Sequence, residues 1–459
     1  MQHTDTGITT LAGEARGPVL LPGDAGYDAE RRGFNTLHDH RPDVIVGSTG
    51  VRDIAAAVRF AADRGLPVAV QATGHGAAMP LRGGVLVSTR RMTGLRVDPE
   101  RASARIEAGV RWEQVIHEAA AYGLAPLNGS SPLVGAVSYT LGGGLGVLAR
   151  SFGYAADHVR AIDVVTADGV PLQVNADNHP DLFWALRGGK GNFGIATSIE
   201  IGLVPVSRVY GGTLSFPGRS APQVLRAWSE WTRHVPDRMN SSVALVRLPD
   251  DPDIRAELRG RFLIQVRIAF TGPSGEGEGL VAPLRSAAPT LVDTVAEMPY
   301  TDVASIHADP TRPYSYHERT LMLGALDEGA IDTVLAVAGP DTDCGLGLVE
   351  LRHLGGALRT PPPEGSAVGN RDAAYCLLTV APGGPRQSPG EDDLLLDKMT
   401  GWSTGGRYLN FLDASATPDQ VRSAFTEPAY ARLSALKAAY DPDNLFRLDH
   451  TIQPTADRG

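Results

Sequence analysis

The length, composition and charge of the chain limit what it can be. At 459 residues it is too long for one ordinary hydrophobic core, so two domains are expected. With 42% hydrophobic and 20% charged residues it has the composition of a globular protein, and a net charge of -10 argues against a nucleic-acid partner. Residues 1–13 are polar, and no apolar run approaches the roughly 20 residues of a membrane-spanning helix. We therefore expect a soluble, cytoplasmic protein with no membrane partner.

From about residue 42 the apolar pattern alternates between strands and helices. Residues 43–46 and 66–70 have the short apolar runs of strands, and residues 53–61 between them have apolar side chains at helical spacing. The second strand runs directly into a loop at 71–78. Further elements are expected as strands at 84–88 and 104–109, a helix at 112–122 and a hairpin turn at Asp168-Gly169.

After about residue 207 the pattern changes. A β-prone run at 262–270 is followed by helices and by proline-rich loops at 360–369 and 381–390, which is typical of a second α+β domain. Patterned sequence returns from residue 408 and ends in a predicted helix at 428–440. The two cysteines, Cys344 and Cys376, lie in apolar surroundings, so we expect buried, inert thiols and no metal site.

Three glycine-rich loops, at residues 74–76, 142–146 and 188–194, lie in the first domain. Glycine lets backbone N–H groups approach a ligand closely, which suits a bound pyrophosphate. None of the loops has the G-x-G-x-x-G spacing of a Rossmann fold or the G-x-x-x-x-G-K-[ST] pattern of a P-loop, so both are disfavoured. Each loop alone is typical of a plain turn, but the three together favour a large dinucleotide.

A series of short motifs follows one another along most of the chain. They are Gly74-His75-Gly76, Ser131-Pro132-Leu133-Val134-Gly135, Gly142-Gly143-Gly144-Leu145-Gly146, Phe152-Gly153-Tyr154, Asp181-Leu182-Phe183-Trp184, Gly191-Asn192-Phe193-Gly194, Tyr408-Leu409-Asn410 and Asp443-Asn444-Leu445-Phe446. In order and spacing they resemble the berberine-bridge-enzyme-like branch of the FAD-linked oxidases, which share the vanillyl-alcohol oxidase type of FAD domain. The resemblance implies a two-domain α+β fold. Its parts are an FAD-binding domain at 18–207, a substrate-binding domain of sheet and helices at 208–405, and a C-terminal segment at 406–459 that returns to the FAD domain.

The resemblance places the flavin attachment site in the first glycine-rich loop. It implies FAD bound covalently to His75 through the flavin 8α carbon, a bond that a nucleophilic imidazole can form. Many relatives add a second bond from a cysteine where this chain has Ser131. A serine oxygen is a poor nucleophile, so we expect one covalent bond and a Ser131 hydroxyl that bonds the backbone of its own turn. The lead-in Gln71-Ala72-Thr73 lacks an arginine common in relatives, which removes a positive charge near the expected phosphates.

Three side chains are expected to act in catalysis by resemblance. Val134 falls beside the reactive flavin carbon C4a, where a small residue admits dioxygen. Tyr139 falls near the flavin N1 edge, where a phenol can donate a hydrogen bond to developing negative charge. Tyr408, in a Y-x-N pattern with Asn410, can act as general base once neighbouring groups lower its pKa. The alternative for each is an ordinary packing role.

The other expected cofactor contacts come mainly from the same loops. They are Thr73, Gly74, Gly76, Ala77, Ala78, Ser131, Gly135, Val137, Tyr139, Thr140, Gly142, Gly144, Gly146, Gly191, Gly194, Ile195, Asn410 and Asn444. We expect Asn444 to tie the terminal loop to the FAD domain. Asp449 stands where relatives commonly have asparagine, and a carboxylate there could disfavour an anionic reduced flavin.

The function implied is an FAD-dependent oxidase for a small, secondary-metabolite-like organic substrate. Hydride would pass to flavin N5, and dioxygen would reoxidise the flavin to give hydrogen peroxide. Two alternatives stay open: a redox-neutral or dehydrogenase-type flavoenzyme that cyclises or desaturates its substrate, and a flavin-binding scaffold without turnover. Residues 208–405 carry no motif that identifies the substrate, and the sequence leaves the oligomeric state open.

Overall fold

The computed structural model describes residues 2–76, 79–383, 390–448 and 450–455. The expected contacts Ala77 and Ala78 and the departure at Asp449 therefore lie outside the described residues. Within the described residues, no helix is both long and apolar enough to cross a membrane.

The first sheet is a small βαβ unit with an added edge strand. Its strands, in the order β1-β2-β4-β3, are β1 (Val19–Leu20), β2 (Val44–Gly47), β3 (Val68–Gln71) and β4 (Val85–Ser88). The helices nearby are α1 (Gln2–Glu14), α2 (Tyr27–Arg31) and α3 (Val51–Ala62). β2 and β3 both pair with β4 in parallel, and α3 packs its buried apolar face against them, as the sequence pattern predicts. This arrangement directs the end of β3 into the loop that carries His75.

The second sheet is antiparallel, with the strand order β5-β6-β9-β7-β8. Its strands are β5 (Leu95–Asp98), β6 (Ser103–Glu107), β7 (Val159–Val165), β8 (Pro171–Val174) and β9 (Ile195–Gly202). Its helices are α4 (Trp112–Ala120), α5 (Ala136–Leu141), α6 (Ala149–Phe152) and α7 (Pro180–Leu186). The predicted hairpin at Asp168-Gly169 joins β7 to β8, and Gly169 has the positive φ, 73°, that such a turn uses.

The third sheet is larger and antiparallel, with the strand order β13-β10-β12-β11-β16-β17-β15 and β14 paired to β10. Its strands are β10 (Arg208–Pro217), β11 (Met239–Arg247), β12 (Phe262–Phe270), β13 (Val292–Asp293), β14 (Ala296–Pro299), β15 (Tyr316–Leu323), β16 (Leu348–His353) and β17 (Tyr375–Pro382). One face packs against α8 (Ala221–Thr232), α9 (Ser274–Arg285), α10 (Glu328–Ala338) and α11 (Glu391–Lys398). The opposite face is left to line a cavity.

The C-terminal segment packs with the first part of the chain. It contains α12 (Pro418–Arg422) and α13 (Glu427–Tyr440), and Leu433 lies in the same hydrophobic cluster as the second sheet. The fully buried Lys437 Nζ donates to the backbone oxygens of Asn192 at 2.8 Å and Phe446 at 2.9 Å. These contacts join the third glycine-rich loop, α13 and the terminal loop.

Candidate active site

A cavity of about 1350 Å³ lies where the three parts of the chain meet. Its walls come from the end of β3, the glycine-rich loops, the free face of the third sheet and the segment around Tyr408. Pockets for drug-sized ligands hold roughly 300–1,000 Å³, so this cavity has room for a larger ligand together with a small one.

His75 projects from the loop after β3 and is held on three sides. Its ring stacks on Phe34 with centroids 3.9 Å apart, and its Nδ1 lies 2.8 Å from the Thr73 hydroxyl. Tyr316 of the third sheet donates its phenolic hydrogen to the His75 carbonyl at 2.7 Å. The loop needs glycine at position 74, where φ is 69° and a Cβ would collide with the backbone of Gly33.

The His75 imidazole is uncharged near neutral pH. Burial lowers its pKa to about 4, and the positive charge of Arg111 acts in the same direction. Its Nε2 is buried and has no hydrogen-bond partner among the described residues. The Nε2 atom of this neutral imidazole is therefore available to react with a ligand bound in the cavity.

The segment from Ser131 to Tyr139 forms the wall beside His75. Ser131 Oγ accepts the Leu133 N–H at 3.4 Å, the local turn bond predicted for it. Val134 and Tyr139 both line the cavity. The Tyr139 hydroxyl is buried without a partner among the described residues, and burial raises its pKa well above the usual value. Tyr139 is thus a neutral phenol with an unused hydrogen-bonding group.

Tyr408 joins the C-terminal segment to the second glycine-rich loop. Its hydroxyl oxygen accepts hydrogen bonds from the Leu145 N–H at 2.7 Å and from Asn410 Nδ2 at 3.3 Å. Burial raises the pKa of Tyr408, and these two hydrogen bonds only partly offset that effect. The sequence-based expectation of a lowered pKa is therefore wrong in direction, because the site is more deeply buried than the motif indicates.

The free face of the third sheet carries a row of polar side chains that the sequence analysis missed. Tyr316 and Glu318 project from β15, Glu350 and Arg352 from β16, and Arg267 from β12. The missed signal is a charged residue at every second position of an otherwise apolar strand, as in Glu350-Leu351-Arg352. Such a pattern places charges on one face, and the opposite face fills the core.

On this face, Glu318 follows Tyr316 along β15, at the next position that faces the cavity. Arg352 lies on the same face, on β16, with β17 between the two strands. The Glu318 carboxyl group has no hydrogen-bond partner among the described residues. Burial, with a further contribution from the Asp413 carboxylate, raises its pKa to about 8. A carboxyl group with a near-neutral pKa in a cavity is a candidate for proton transfer.

Comparisons with known proteins match both ends of this architecture. An "FAD binding domain" model matches residues 42–175, and a "Berberine and berberine like" model matches residues 407–453. The (R)-6-hydroxynicotine oxidase of Paenarthrobacter nicotinovorans is 28% identical over 96% of this chain and 97% of its own length. The xylooligosaccharide oxidase of Thermothelomyces thermophilus is 24% identical over 96% of this chain and 93% of its own length.

Solved structures agree over nearly the whole chain. The 6-hydroxy-D-nicotine oxidase of Arthrobacter nicotinovorans superposes with a TM-score of 0.82 at 25% identity, covering 96% of this chain and 98% of that one. The glucooligosaccharide oxidase of Acremonium strictum, described with a 6-S-cysteinyl, 8α-N1-histidyl FAD, has the same fold at a TM-score of 0.82 and 21% identity, covering 98% and 100%. The chain thus matches an FAD-binding and a berberine-like family model, and its relatives along nearly the whole chain are FAD-linked oxidases.

The cavity collects most of the sequence-predicted site residues. Those that line it are Thr73, Gly74, His75, Gly76, Ser131, Val134, Val137, Tyr139, Gly191, Gly194, Ile195, Tyr408 and Asn410. Those that do not are Gly135, Thr140, Gly142, Gly144, Gly146 and Asn444.

The glycines behind the wall of the cavity have a packing role. A Cβ on Gly144 would lie 2.7 Å from the Tyr139 ring, and one on Gly146 would lie 2.6 Å from the Asn128 carbonyl oxygen. Thr140 is buried, and its hydroxyl donates to the Ala136 carbonyl at 2.8 Å. Gly144 and Gly146 thus make room for Tyr139 and Asn128, so they support the cavity from outside.

The residues present fit an FAD group. A buried imidazole nitrogen and a buried phenol lack partners within the described residues, and both lie in a cavity of sufficient volume. Lys190, Gly191 and Gly194 of the third glycine-rich loop line the same cavity, and Lys190 Nζ is hydrogen-bonded to His450 Nδ1 at 3.1 Å. An anionic dinucleotide suits such a loop.

Proposed function

We propose that this protein is an oxidase that holds FAD covalently through His75 and oxidises a small organic substrate, with dioxygen as the electron acceptor. The single observation that carries the proposal is the unpartnered, buried Nε2 of a neutral His75 in the wall of the cavity. The oxidase activities named for relatives that align along nearly the whole chain support the reaction class.

The neighbours of His75 favour attachment through one nitrogen. If Nδ1 donates its hydrogen to the Thr73 hydroxyl, the lone pair of Nε2 is free to bond carbon. The Thr73 hydroxyl also accepts the Gly135 N–H at 3.4 Å, which helps to fix its orientation. We therefore assign the covalent bond to Nε2, and Ser131 adds no second bond.

When bound, FAD supplies the acceptor for the two electrons of the substrate and passes them to dioxygen, which leaves as hydrogen peroxide. The protein must accept the proton that the substrate releases. Glu318 has the more suitable pKa for this role, about 8, since a general base works best with a pKa near the working pH. Tyr408 is held by Leu145 and Asn410, so we assign it the positioning of the cavity wall.

The walls of the cavity indicate which part of the chain would bind FAD and which would bind the substrate. Residues 18–207 and 406–459 would hold FAD, and residues 208–405 would present the substrate from the free face of the third sheet. The Tyr316 hydrogen bond to the His75 carbonyl is a direct contact between these two parts. Val134 presents a small side chain to the cavity and would leave a path for dioxygen.

The experiment has two separate halves. Enzyme reduced with dithionite and mixed with air should reoxidise rapidly and release hydrogen peroxide, whatever the substrate is. A panel of small alcohols and amines, tested without oxygen, should include compounds that bleach the flavin. Slow reoxidation by air together with turnover in the absence of oxygen would instead indicate a dehydrogenase or a redox-neutral enzyme.

A further inference from the structure

The floor of the cavity contains a charged cluster that the proposed oxidation does not use. In the ladder of the third sheet, Ser242 of β11 pairs with Arg267 of β12 on one side and with Arg352 of β16 on the other. Glu350 accepts hydrogen bonds from Ser242 Oγ at 2.6 Å, Arg267 Nη1 at 2.7 Å and Arg352 Nε at 2.8 Å. Four side chains from three adjacent strands thus form one connected cluster.

This cluster contains more positive than negative charge. Glu350 is 1% exposed, and burial alone would raise its pKa, but Arg352 and Arg267 outweigh burial and hold the pKa well below the usual value. One carboxylate is therefore shared by two guanidinium groups. His307 lies 3.6 Å from the same carboxylate, and burial lowers its pKa although the contact with Glu350 acts in the opposite direction.

Arg352 lines the cavity with the part of its guanidinium group that is not bonded to Glu350. Its Nε is bound to Glu350, and its guanidinium carbon lies 5.0 Å from the centre of the Phe411 ring. Its terminal nitrogens have no hydrogen-bond partner among the described residues. Phe411 in turn lies 5.0 Å from Tyr408, ring centre to ring centre. The guanidinium group of Arg352 is thus held by Glu350 on one side and by the Phe411 ring on the other. Its terminal N–H donors face the part of the cavity near Tyr408.

Besides Glu350, four acidic residues line the cavity with Arg352: Asp251, Asp253, Asp309 and Glu318, of which Asp253 is paired with Arg312. Glu318 is mostly protonated near neutral pH, since burial raises its pKa to about 8, so it does not cancel the positive charge. Asp309, on the loop before β15, lines another wall and makes no ion pair among the described residues. Within the described part of the cluster, Arg352 is the guanidinium whose terminal nitrogens are unbonded, because those of Arg267 bind Glu350 and Gln265.

We propose that the substrate is a small organic acid whose carboxylate binds to the terminal nitrogens of Arg352. A guanidinium group binds a carboxylate through two parallel N–H···O bonds, which fixes the orientation as well as the position of the ligand. The bond would hold the acid on the sheet face that also carries Glu318. This inference rests on the proposed function, because it names the substrate class of the same cavity.

Binding of a non-reacting probe tests the inference on the holoenzyme. Benzoate and benzamide have nearly the same shape and differ in charge, and each can be titrated while the visible flavin absorbance is recorded. We expect benzoate to bind at least about tenfold more tightly than benzamide, and Arg352→Gln to remove that difference. Equal binding of the two probes to the wild-type enzyme would overturn the proposal.

A matched control removes a positive charge from the mouth of the same cavity. Arg312 also lines the cavity, but its side chain is 79% exposed and is paired with Asp253 at 2.9 Å. Arg312→Gln should leave the preference for benzoate unchanged. If Arg312→Gln and Arg352→Gln weaken benzoate equally, general charge and not a specific contact is responsible, and the proposal fails.

A conservative variant keeps the test decisive if Arg352→Gln does not fold. Arg352→Lys retains a charge beside Glu350 but has no planar fork, so benzoate should bind with intermediate affinity and still better than benzamide. Loss of both probes to the same extent would mean that Arg352 only supports the cavity. Because no turnover is measured, a failure here is distinct from a failure of oxidase activity, which reoxidation of dithionite-reduced enzyme reports.

Discussion

The hydroxyl oxygen of Tyr408 accepts the backbone N–H of Leu145 over 2.7 Å, a contact between residues 263 positions apart. It joins the C-terminal Y-x-N motif to the second glycine-rich loop. Both partners are buried, so the N–H has no access to water if the hydroxyl is removed. Tyr408 is therefore part of the structure that shapes the cavity, whatever its part in the reaction.

Tyr408→Phe should destabilise the protein by about 1–3 kcal/mol, because the Leu145 N–H loses its acceptor in a buried site. We expect reduction of the flavin by substrate to slow less than tenfold, since we assign proton acceptance to another residue. Thermal unfolding and anaerobic stopped-flow absorbance measure the two effects. A fall of a hundredfold or more in the reduction rate, with normal stability, would return the role of base to Tyr408.

Glu318→Gln should slow flavin reduction by about a hundredfold to ten-thousandfold, the usual effect of losing a general base. In the wild-type enzyme the carboxyl is protonated below its pKa of about 8, so the reduction rate should rise with pH through that region. The variant should lose this rise, and its reoxidation by oxygen should stay normal. A variant with an unchanged pH profile would exclude Glu318 as the base.

The same group should make folding stability depend on pH. The pKa of Glu318 is raised from 4.5 in the unfolded chain to about 8 in the folded one, so its protonated form favours folding. That contribution is present below about pH 4.5 and is lost as the pH rises to about 8. Wild-type protein should therefore lose stability relative to Glu318→Gln between about pH 5 and about pH 9. Parallel melting curves for the two proteins across this range would contradict the assignment.

The sequence predicts the first domain better than the second, for physical reasons. Runs such as residues 43–46 and 53–61 have a clear strand or helix period, because each buries one well-defined face. The free face of the third sheet is marked only by charged residues at alternate positions of single strands, and that pattern does not show that Glu318 of β15 and Arg352 of β16 share a surface. Only pairing through β17 brings them onto one surface.

The sequence also could not predict the chemical state of the site. A Y-x-N motif places Tyr408 near Asn410, but the pKa of the phenol depends on burial by residues from several segments. In the same way, Gly144 and Gly146 match the expected glycine pattern, yet they make room for Tyr139 and Asn128 and do not line the cavity. Motifs identify the residues of this site, and packing decides what each one contacts.

Val134→Leu should slow reoxidation of the reduced enzyme far more than reduction by substrate. Val134 lines the cavity, and one added methylene there would narrow the space beside the flavin, since closely packed sites have no room for extra volume. Stopped-flow mixing of dithionite-reduced enzyme with oxygen measures reoxidation without any substrate. Val137→Leu, at a nearby position of the same wall, is the matched control and should change reoxidation less. Equal slowing of both half-reactions by Val134→Leu would indicate general distortion of the cavity.

Attachment of the flavin to His75 is the central claim, and denaturation of the purified protein in acid tests it most directly. We predict that the precipitated protein stays yellow, that the one flavin-bearing peptide contains His75, and that magnetic resonance of that peptide shows the bond at Nε2. His75→Ala should bind FAD without a covalent bond, and Thr73→Val should lower the covalent fraction because Nδ1 loses its partner. Complete release of the flavin from the wild-type protein, or a flavin-bearing peptide that lacks His75, would contradict the account.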